Sequence, residues 1–130
     1  MSFAVAQYRS NQVQTASPAR VIVQFYDGAL KFIRLAGQSI ESRNYAAKGV
    51  QLSRAHAIVS ELRTNLDPTH APELCAELDR LYGYVLDCIT EANLKMDAKP
   101  LAPAIKVLED LRSAWAQVAD AVPVQIVGTP

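Results

Sequence analysis

Four apolar repeats with helical spacing, separated by short polar or proline-containing breaks, constrain this fold more than any other sequence feature. Apolar residues three or four positions apart fall on one side of an α-helix, so each repeat predicts a helix with one apolar face. The predicted helices cover residues 18–43, 45–66, 72–95 and 101–121. Ser17 and Pro18 are typical of a helix start, and Thr69 or Ala71 before Pro72 predicts another.

Each predicted helix carries about seven core-facing positions at this spacing. They are Ile22, Phe25, Ala29, Phe32, Ile33, Ala36 and Ile40; then Ala47, Val50, Ala55, Ile58, Val59, Leu62 and Leu66; then Leu74, Leu78, Leu81, Tyr82, Val85, Ile89 and Ala92; and finally Leu101, Ala104, Ile105, Leu108, Leu111, Trp115 and Val118. Helices joined by only a few residues fold back on one another to bury such stripes. The sequence therefore predicts an all-α, antiparallel, up-and-down four-helix bundle over residues 15–121, with an N-terminal segment 1–14 and a C-terminal tail 122–130, both mobile or loosely docked.

Length and charge exclude several classes of protein. A chain of 130 residues suits one domain, and its 13 basic and 13 acidic side chains give no positive field to hold a phosphate backbone. No apolar run approaches the roughly 18 residues that span a bilayer, and the first residues lack the charge and apolar pattern of a secretion signal. We therefore expect a cytoplasmic protein that binds no nucleic acid and does not insert into membranes.

The residues do not suggest an enzyme, a metal site or a cofactor. Bundles that hold two metals use Glu-x-x-His motifs, which this chain lacks, and His70 with Glu73 shows the reverse order at a predicted loop. Cys75 and Cys88 are thirteen residues apart, about 20 Å along one helix, which is too far for a disulfide. No Gly-x-Ser-x-Gly elbow or phosphate-binding glycine loop is present.

His56 provides the one alternative from the enzyme-partner class. Histidine phosphotransfer domains are four-helix bundles of similar length whose reactive histidine is followed by Lys at the third position and Gly at the fourth. This chain has Val59 and Ser60 at those positions. It therefore lacks the charge that would neutralise a phosphoryl group and the open space that would admit it.

Surplus apolar residues indicate a binding role. Helix two adds Leu52 and Ala57 beside its stripe, and helix three adds Leu86, Cys88 and Leu94, so both apolar sectors are wider than a bundle needs. This surface can be covered in two ways, by an amphipathic helix of a partner that binds in a groove or by a second copy of the chain in a homodimer. Gly28 and Gly83, each beside an aromatic residue inside a helix, either are tolerated surface defects or let another backbone approach closely.

An ordered series of short motifs resembles the FliS family of flagellin export chaperones from Tyr8 to Trp115. The motifs are Tyr8, Val13-Gln14-Thr15-Ala16-Ser17-Pro18, Tyr26-Asp27-Gly28-Ala29, Glu61-Leu62, Asn65-Leu66-Asp67, Glu73-Leu74, Leu81-Tyr82, Glu91-Ala92-Asn93-Leu94, Asp97, Leu111-Arg112 and Ala114-Trp115. The chain departs from the family pattern at Gln24, at Ala71-Pro72 and at Gly83.

The resemblance implies a cytosolic bundle that holds the disordered C-terminal region of flagellin until the flagellar type III export apparatus takes it. It also implies an N-terminal segment, around Val5 and Tyr8, that competes with the client or contacts a second flagellar regulator. The predicted partner-binding residues lie on the groove side of helices two and three, with Tyr8 as a covering residue, and each also suits core packing. They are Tyr8, Val50, Leu52, Ala57, Ile58, Leu81, Tyr84 and Leu94.

Overall fold

The computed structural model describes residues 18–119, and these residues form four α-helices and no strand. They are α1 (Pro18–Glu41), α2 (Tyr45–Thr64), α3 (Pro72–Lys95) and α4 (Leu101–Val118). The all-helical prediction is confirmed, and all four predicted starts are right, while α1, α2 and α4 end two or three residues before the predicted positions. Ser17, the predicted N-terminal segment and the predicted tail lie outside the described residues.

Each helix packs against two others, so the four helices occupy the corners of a square. α1 contacts α2 and α4, and α3 contacts the same two helices. Between α1 and α4, Asp27 pairs with Arg112 and Arg34 with Glu109, so the chain positions run in opposite directions. Between α2 and α3, Lys48 pairs with Asn93 and Arg63 with Asp79, again in opposite directions. The architecture is therefore the predicted antiparallel up-and-down bundle.

Local backbone geometry explains why α1 stops early. Arg43 adopts a left-handed conformation with φ of 61°, which a helix cannot continue through. The Asn44 backbone N–H donates to the Ser39 carbonyl at 2.8 Å, and the Asn44 side chain accepts from the Ala47 N–H at 3.2 Å. Asn44 thus closes α1 and caps α2 in the same turn.

The start of α3 differs from one of the two predicted alternatives. Ala71 is the N-cap residue and makes no side-chain capping bond, with Pro72 in the first helical turn. Thr69 instead belongs to the preceding loop, where its backbone N–H and hydroxyl donate to Asp67 Oδ1 at 3.0 and 2.6 Å. Asp67 forms a local turn there, so Thr69 is not available as a cap.

The core lies along the bundle axis and matches the predicted stripes of α1 and α4 closely. Two predictions on the other helices are wrong: Val50 is 54% exposed and Leu74 is 50% exposed. The buried positions of α2 are Lys48, Leu52, Ala55 and Val59. These buried residues are three or four positions apart, as regularly spaced as the predicted stripe of α2. They belong to a different face of the helix, so Leu52 enters the core and Val50 does not.

Two helix-interior glycines each lie against a side chain of α2. A Cβ at Gly28 would lie 3.3 Å from Ile58 Cδ1. A Cβ at Gly83 would lie 3.1 Å from the Arg63 guanidinium, which rests against the α3 backbone at that position. The neighbours are side-chain atoms in both cases, so the close approach of another backbone, one of the two predicted alternatives, is not what either glycine allows.

Cys75 and Cys88 are buried on α3 and do not form a disulfide with each other, and the Cys75 thiol donates to the Asp67 carbonyl at 3.3 Å. Across residues 18–119, none of the helices combines the length and the apolar character that a bilayer crossing requires. Within the same range, no three metal-binding side chains converge.

Candidate functional site

A surface cleft of about 220 Å³ opens between α2 and α3. Its lining consists of Leu52, Ser53 and His56 from α2 and Ile89, Thr90, Asn93 and Leu94 from α3. Leu52 and Ile89 are 1% and 2% exposed and form an apolar floor, while hydroxyl, imidazole and amide groups form the walls. Such a cleft accepts an apolar side chain and offers hydrogen bonds to polar groups around it.

Exposed apolar side chains lie near one end of this cleft. Leu94, on its rim, is 79% exposed, and Met96, two residues further along the chain, is 50% exposed. Tyr45, in the first turn of α2, is 40% exposed, and its ring centre lies 5.9 Å from the Lys48 ammonium, which binds Asn93. Leu94, Met96 and Tyr45 thus form an apolar patch at the end of the bundle where α2 begins and α3 ends.

Lys48 joins the two helices beneath this patch. Its side chain is buried, and its ammonium donates to the Asn93 side-chain oxygen at 2.8 Å and to the Asn93 backbone carbonyl at 3.2 Å. That carbonyl lies in the last turn of α3, where no further turn supplies an N–H and where a cation is favourable. The contact holds Asn93, and with it the cleft wall, in place.

The other end of the α2–α3 interface is closed by an ion pair. Arg63 Nε donates to Asp79 Oδ1 at 2.8 Å, and a second guanidinium nitrogen reaches Oδ2 at 3.3 Å. The hydrogen bond from Arg63 lowers the pKa of the Asp79 carboxyl below its usual value. Because Arg63 also covers Gly83, the open part of the groove lies toward Leu94.

The predicted partner-binding residues do not form one surface. Leu52 and Leu94 meet in the cleft, as floor and rim, whereas Val50 lies on the outer face of α2, about 160° around the helix from Leu52. Ala57 is exposed on the outer face of α2, roughly 20° around the helix from Val50. Ile58 instead turns toward α1, where it packs beside Val21 and Phe25.

The remaining predicted residues lie elsewhere. Tyr84, which is 45% exposed, and Leu81, which is half-buried, lie on the flank of α3 away from Gly83 and therefore away from α2. Tyr8 lies outside the described residues. Partner binding by all eight residues stays a prediction.

Sequence reasoning missed Lys48, Asn93, Ser53 and Thr90. For Lys48 a signal was present, because it precedes Leu52 by four residues and so continues the buried stripe of α2. The other three are small polar residues on solvent-facing turns. Only the distance between α2 and α3 makes them walls of a cleft.

His56 lies in the cleft wall and is exposed, with its Nδ1 atom 3.3 Å from the Ser60 hydroxyl. Val59, which takes the place of the lysine in phosphotransfer domains, is completely buried. No basic group stands at that position to meet a phosphoryl group, so the geometry does not favour the phosphotransfer alternative.

Comparisons with known proteins agree with a binding role. The family model described as "Flagellar protein FliS" matches residues 1–122. The flagellar secretion chaperone FliS of Bacillus subtilis is 37% identical over 110 residues, which cover 85% of this chain and 81% of the relative. The same-named protein of Salmonella typhimurium is 32% identical over 108 residues, covering 82% and 80%.

A solved structure supports the fold independently. The crystal structure of a bacterial flagellar chaperone superposes with a TM-score of 0.75 at 20% identity, over 88% of this chain and 94% of that one. The resemblance seen in the sequence motifs is thus confirmed over nearly the whole length. This chain belongs to the FliS family of flagellar secretion chaperones, which are binding proteins of flagellum biogenesis and not enzymes.

Proposed function

We propose that this protein is a cytoplasmic chaperone for flagellin. In this role it binds the disordered C-terminal segment of newly made flagellin and presents it to the flagellar export apparatus. The cleft between α2 and α3, open beside the exposed Leu94, is the observation that carries the proposal. A segment that folds as an amphipathic helix can place one apolar side chain in the cleft, above Leu52 and Ile89, and cover Leu94 with the next turn.

The chemistry of the surface suits such a client. Burying an exposed leucine side chain contributes about 2 kcal/mol, so covering Leu94 and its neighbours offsets part of the cost of ordering a disordered segment. The remaining cost limits the affinity, which favours release at the export apparatus. Occupying the apolar face of the client also keeps that face from assembling into filament contacts.

The N-terminal segment has a place in the same proposal. Tyr8 would cover the cleft in the free chaperone, and the region around Val5 and Tyr8 would contact a second flagellar regulator. Replacing Tyr8 with Ala should then tighten client binding, because the client no longer has to displace it. Alternatively, a second copy of the chain covers the apolar patch in a homodimer. Sedimentation of the free protein over a range of concentrations would reveal such a dimer.

Calorimetry with the C-terminal segment of the cognate flagellin tests the proposal. We expect binding at about micromolar affinity or tighter, a negative heat-capacity change and a gain of helix in the peptide. Leu94→Asp should weaken binding by at least about tenfold, since a carboxylate cannot be buried against Leu52 without a partner.

Leu74→Asp is the matched control, because Leu74 is another exposed leucine on α3 and lies outside the cleft. It should bind the peptide as the unmodified protein does. No detectable heat with the cognate peptide would refute flagellin binding. Equal losses from Leu94→Asp and Leu74→Asp would refute the cleft as its site.

A further inference from the structure

Two cationic side chains, one from α1 and one from α2, meet at the ring of Phe32. The Lys31 ammonium lies 6.0 Å from the ring centre, and the Arg54 guanidinium lies 5.6 Å from it. Both cations are exposed, and Phe32 is half-buried. These distances are near the outer limit of about 6 Å for attraction by an aromatic ring, and a ring accepts no ordinary hydrogen bond. The N–H donors of both cations can therefore still bind a carboxylate.

Neither Lys31 nor Arg54 forms an ion pair within residues 18–119. Other arginines of the four helices do, each with an aspartate or a glutamate; they are Arg34, Arg63, Arg80 and Arg112. Lys31 and Arg54 thus differ from these arginines, because their charge is not neutralised by the helices around them.

The nearest acidic residues of α1 and α2 are engaged or distant. Asp27, one turn before Lys31, is bound by Arg112 of α4. Glu41 is ten residues from Lys31, about 15 Å along α1, and Glu61 is seven residues from Arg54, about 10 Å along α2. The surface around Phe32 is therefore locally positive, although the chain as a whole carries no net charge.

Apolar side chains flank the two cations. Val50, which is 54% exposed, and Ala57, which is also exposed, lie within about 60° of Arg54 around α2. On α1, half-buried Leu35 follows Lys31 by one turn. Val50 and Ala57 are predicted partner-binding residues that lie outside the cleft. On this face they border a positive charge.

This combination suits an acidic protein helix better than other anionic partners. Nucleic acids and anionic bilayers present many charges and are held by wide positive fields, whereas this face offers two cations on a neutral chain. An amphipathic helix carries its charged side chains along the borders of its apolar side. Such a helix can cover apolar residues and pair with cations beside them in one contact.

We propose that the outer face of α1 and α2 made by Lys31, Phe32, Val50, Arg54 and Ala57 binds an acidic amphipathic helix of a partner protein. Carboxylates on the border of that helix pair with Lys31 and Arg54, and its apolar side covers Phe32 and Val50. The cleft lies on the other side of α2, toward α3. This role therefore goes beyond client binding and does not depend on it.

Titration of the full chain with a synthetic peptide tests the proposal. The probe is an amphipathic helix of about 18 residues, with leucines along one side and glutamates on both borders of that side. Its twin carries glutamine in place of each glutamate. We expect the glutamate peptide to bind more tightly and to lose this advantage as salt is added, because salt screens exposed ion pairs. Binding should shift the amide NMR signals of Lys31, Phe32 and Arg54.

The double variant Lys31→Gln with Arg54→Gln should bind the glutamate peptide about three- to tenfold more weakly, since two exposed ion pairs are lost. Its affinity for the glutamine twin should not change. The matched control is Lys99→Gln with Lys106→Gln, which removes the same charge from exposed residues just before and within α4, the helix diagonal to α2. It should bind both peptides as the unmodified protein does.

Several results would overturn the proposal. Equal affinity for the two peptides would do so, as would equal losses from the two double variants. Signal shifts confined to Ile89 and Leu94 would place the peptide in the cleft instead. Phosphatidylglycerol vesicles and sedimentation complete the test: vesicle binding or dimer formation that requires Lys31 and Arg54 would make a lipid surface or a second copy the occupant.

Discussion

At the scale of single residues, Lys48 is a positively charged side chain near the N-terminal end of a helix, where the helix dipole disfavours a cation. It lies in the first turns of α2, where the helix dipole opposes a cation, yet its ammonium reaches the last turn of α3, where the dipole favours one. Tyr45 lies beneath the same ammonium, with the ring centre 5.9 Å away. Among residues 18–119, the partners of the Lys48 ammonium are thus an amide oxygen, a backbone carbonyl and an aromatic ring.

Lys48→Met should destabilise the protein by about 1–3 kcal/mol, because it keeps the apolar stem but leaves both Asn93 acceptors without their donor. Urea unfolding measures the change. Lys106→Met is the matched control, since Lys106 has a 73% exposed side chain and makes only a surface pair with Asp110. Lys106→Met should lower the free energy of unfolding by no more than about 0.5 kcal/mol. Equal effects of the two substitutions would contradict a structural role for the Lys48 contact.

At the scale of elements, the glycines of α1 and α3 differ in what they approach. Gly28 faces Ile58, a side chain held between helices, whereas Gly83 faces the guanidinium of Arg63, the far end of a long and partly exposed side chain. Alanine stabilises a helix interior by about 1 kcal/mol relative to glycine when nothing obstructs its methyl group. The neighbour therefore decides whether that gain is realised.

Gly83→Ala should leave stability unchanged or raise it by up to about 1 kcal/mol, because Arg63 can shift. Gly28→Ala should show no such gain, because its methyl group meets Ile58. In an Ile58→Val background, which lacks the obstructing Cδ1 atom, Gly28→Ala should become more favourable. The unmodified protein, Gly28→Ala, Ile58→Val and their double variant form a cycle measured by thermal unfolding. An unchanged effect of Gly28→Ala in the two backgrounds would rule out the contact as the cause.

The helices themselves were predictable from residues such as Pro72 and from the spacing of apolar side chains, since both act within one turn. The face of α2 was harder. Val50 and Leu52 are both apolar, and which of them enters the core depends on how α2 is rotated against its neighbours, a property that no single turn specifies. The cleft depends on contacts between helices in the same way, so the sequence indicated a groove on α2 and α3 without specifying its walls.

At the scale of the whole molecule, Tyr26 and Tyr82 connect helices at diagonal corners of the bundle. Their hydroxyl oxygens are 2.5 Å apart in the core, and both rings are almost completely buried. Burial raises the pKa of Tyr82 to about 12 and raises that of Tyr26 further. Trp115 of α4 packs against the same core cluster, so α1, α3 and α4 meet around the two tyrosines.

This pair predicts a loss of stability at alkaline pH. The unfolded chain releases the phenol protons near pH 10, whereas the folded protein still holds them at that pH. The stabilisation that comes from keeping these hydroxyls protonated is therefore complete below about pH 10 and is lost as the pH rises through about 12. The slope is about 1.4 kcal/mol per pH unit for each proton that the folded state retains. Urea unfolding at about pH 9 and about pH 11 measures it.

The Tyr26→Phe and Tyr82→Phe double variant provides the comparison. Its free energy of unfolding should fall less between about pH 9 and about pH 11 than that of the unmodified protein, because it lacks the two phenol groups. All other titrating groups are the same in the two proteins. Identical pH dependence would show that the buried hydroxyls are not responsible. Each single variant should cost about 1 kcal/mol, since it leaves one hydroxyl without its partner.

By itself, the amino-acid sequence determined the helices, their order and the family, because spacing, caps and short motifs are local properties of the chain. Only the tertiary structure decided that Lys48 is buried, that Leu94 stands beside an open cleft and that Leu81 and Tyr84 lie on another flank. Those facts depend on how far apart the helices stand and how each is rotated. Contacts such as Gly28 with Ile58, made between residues distant in the chain, set both.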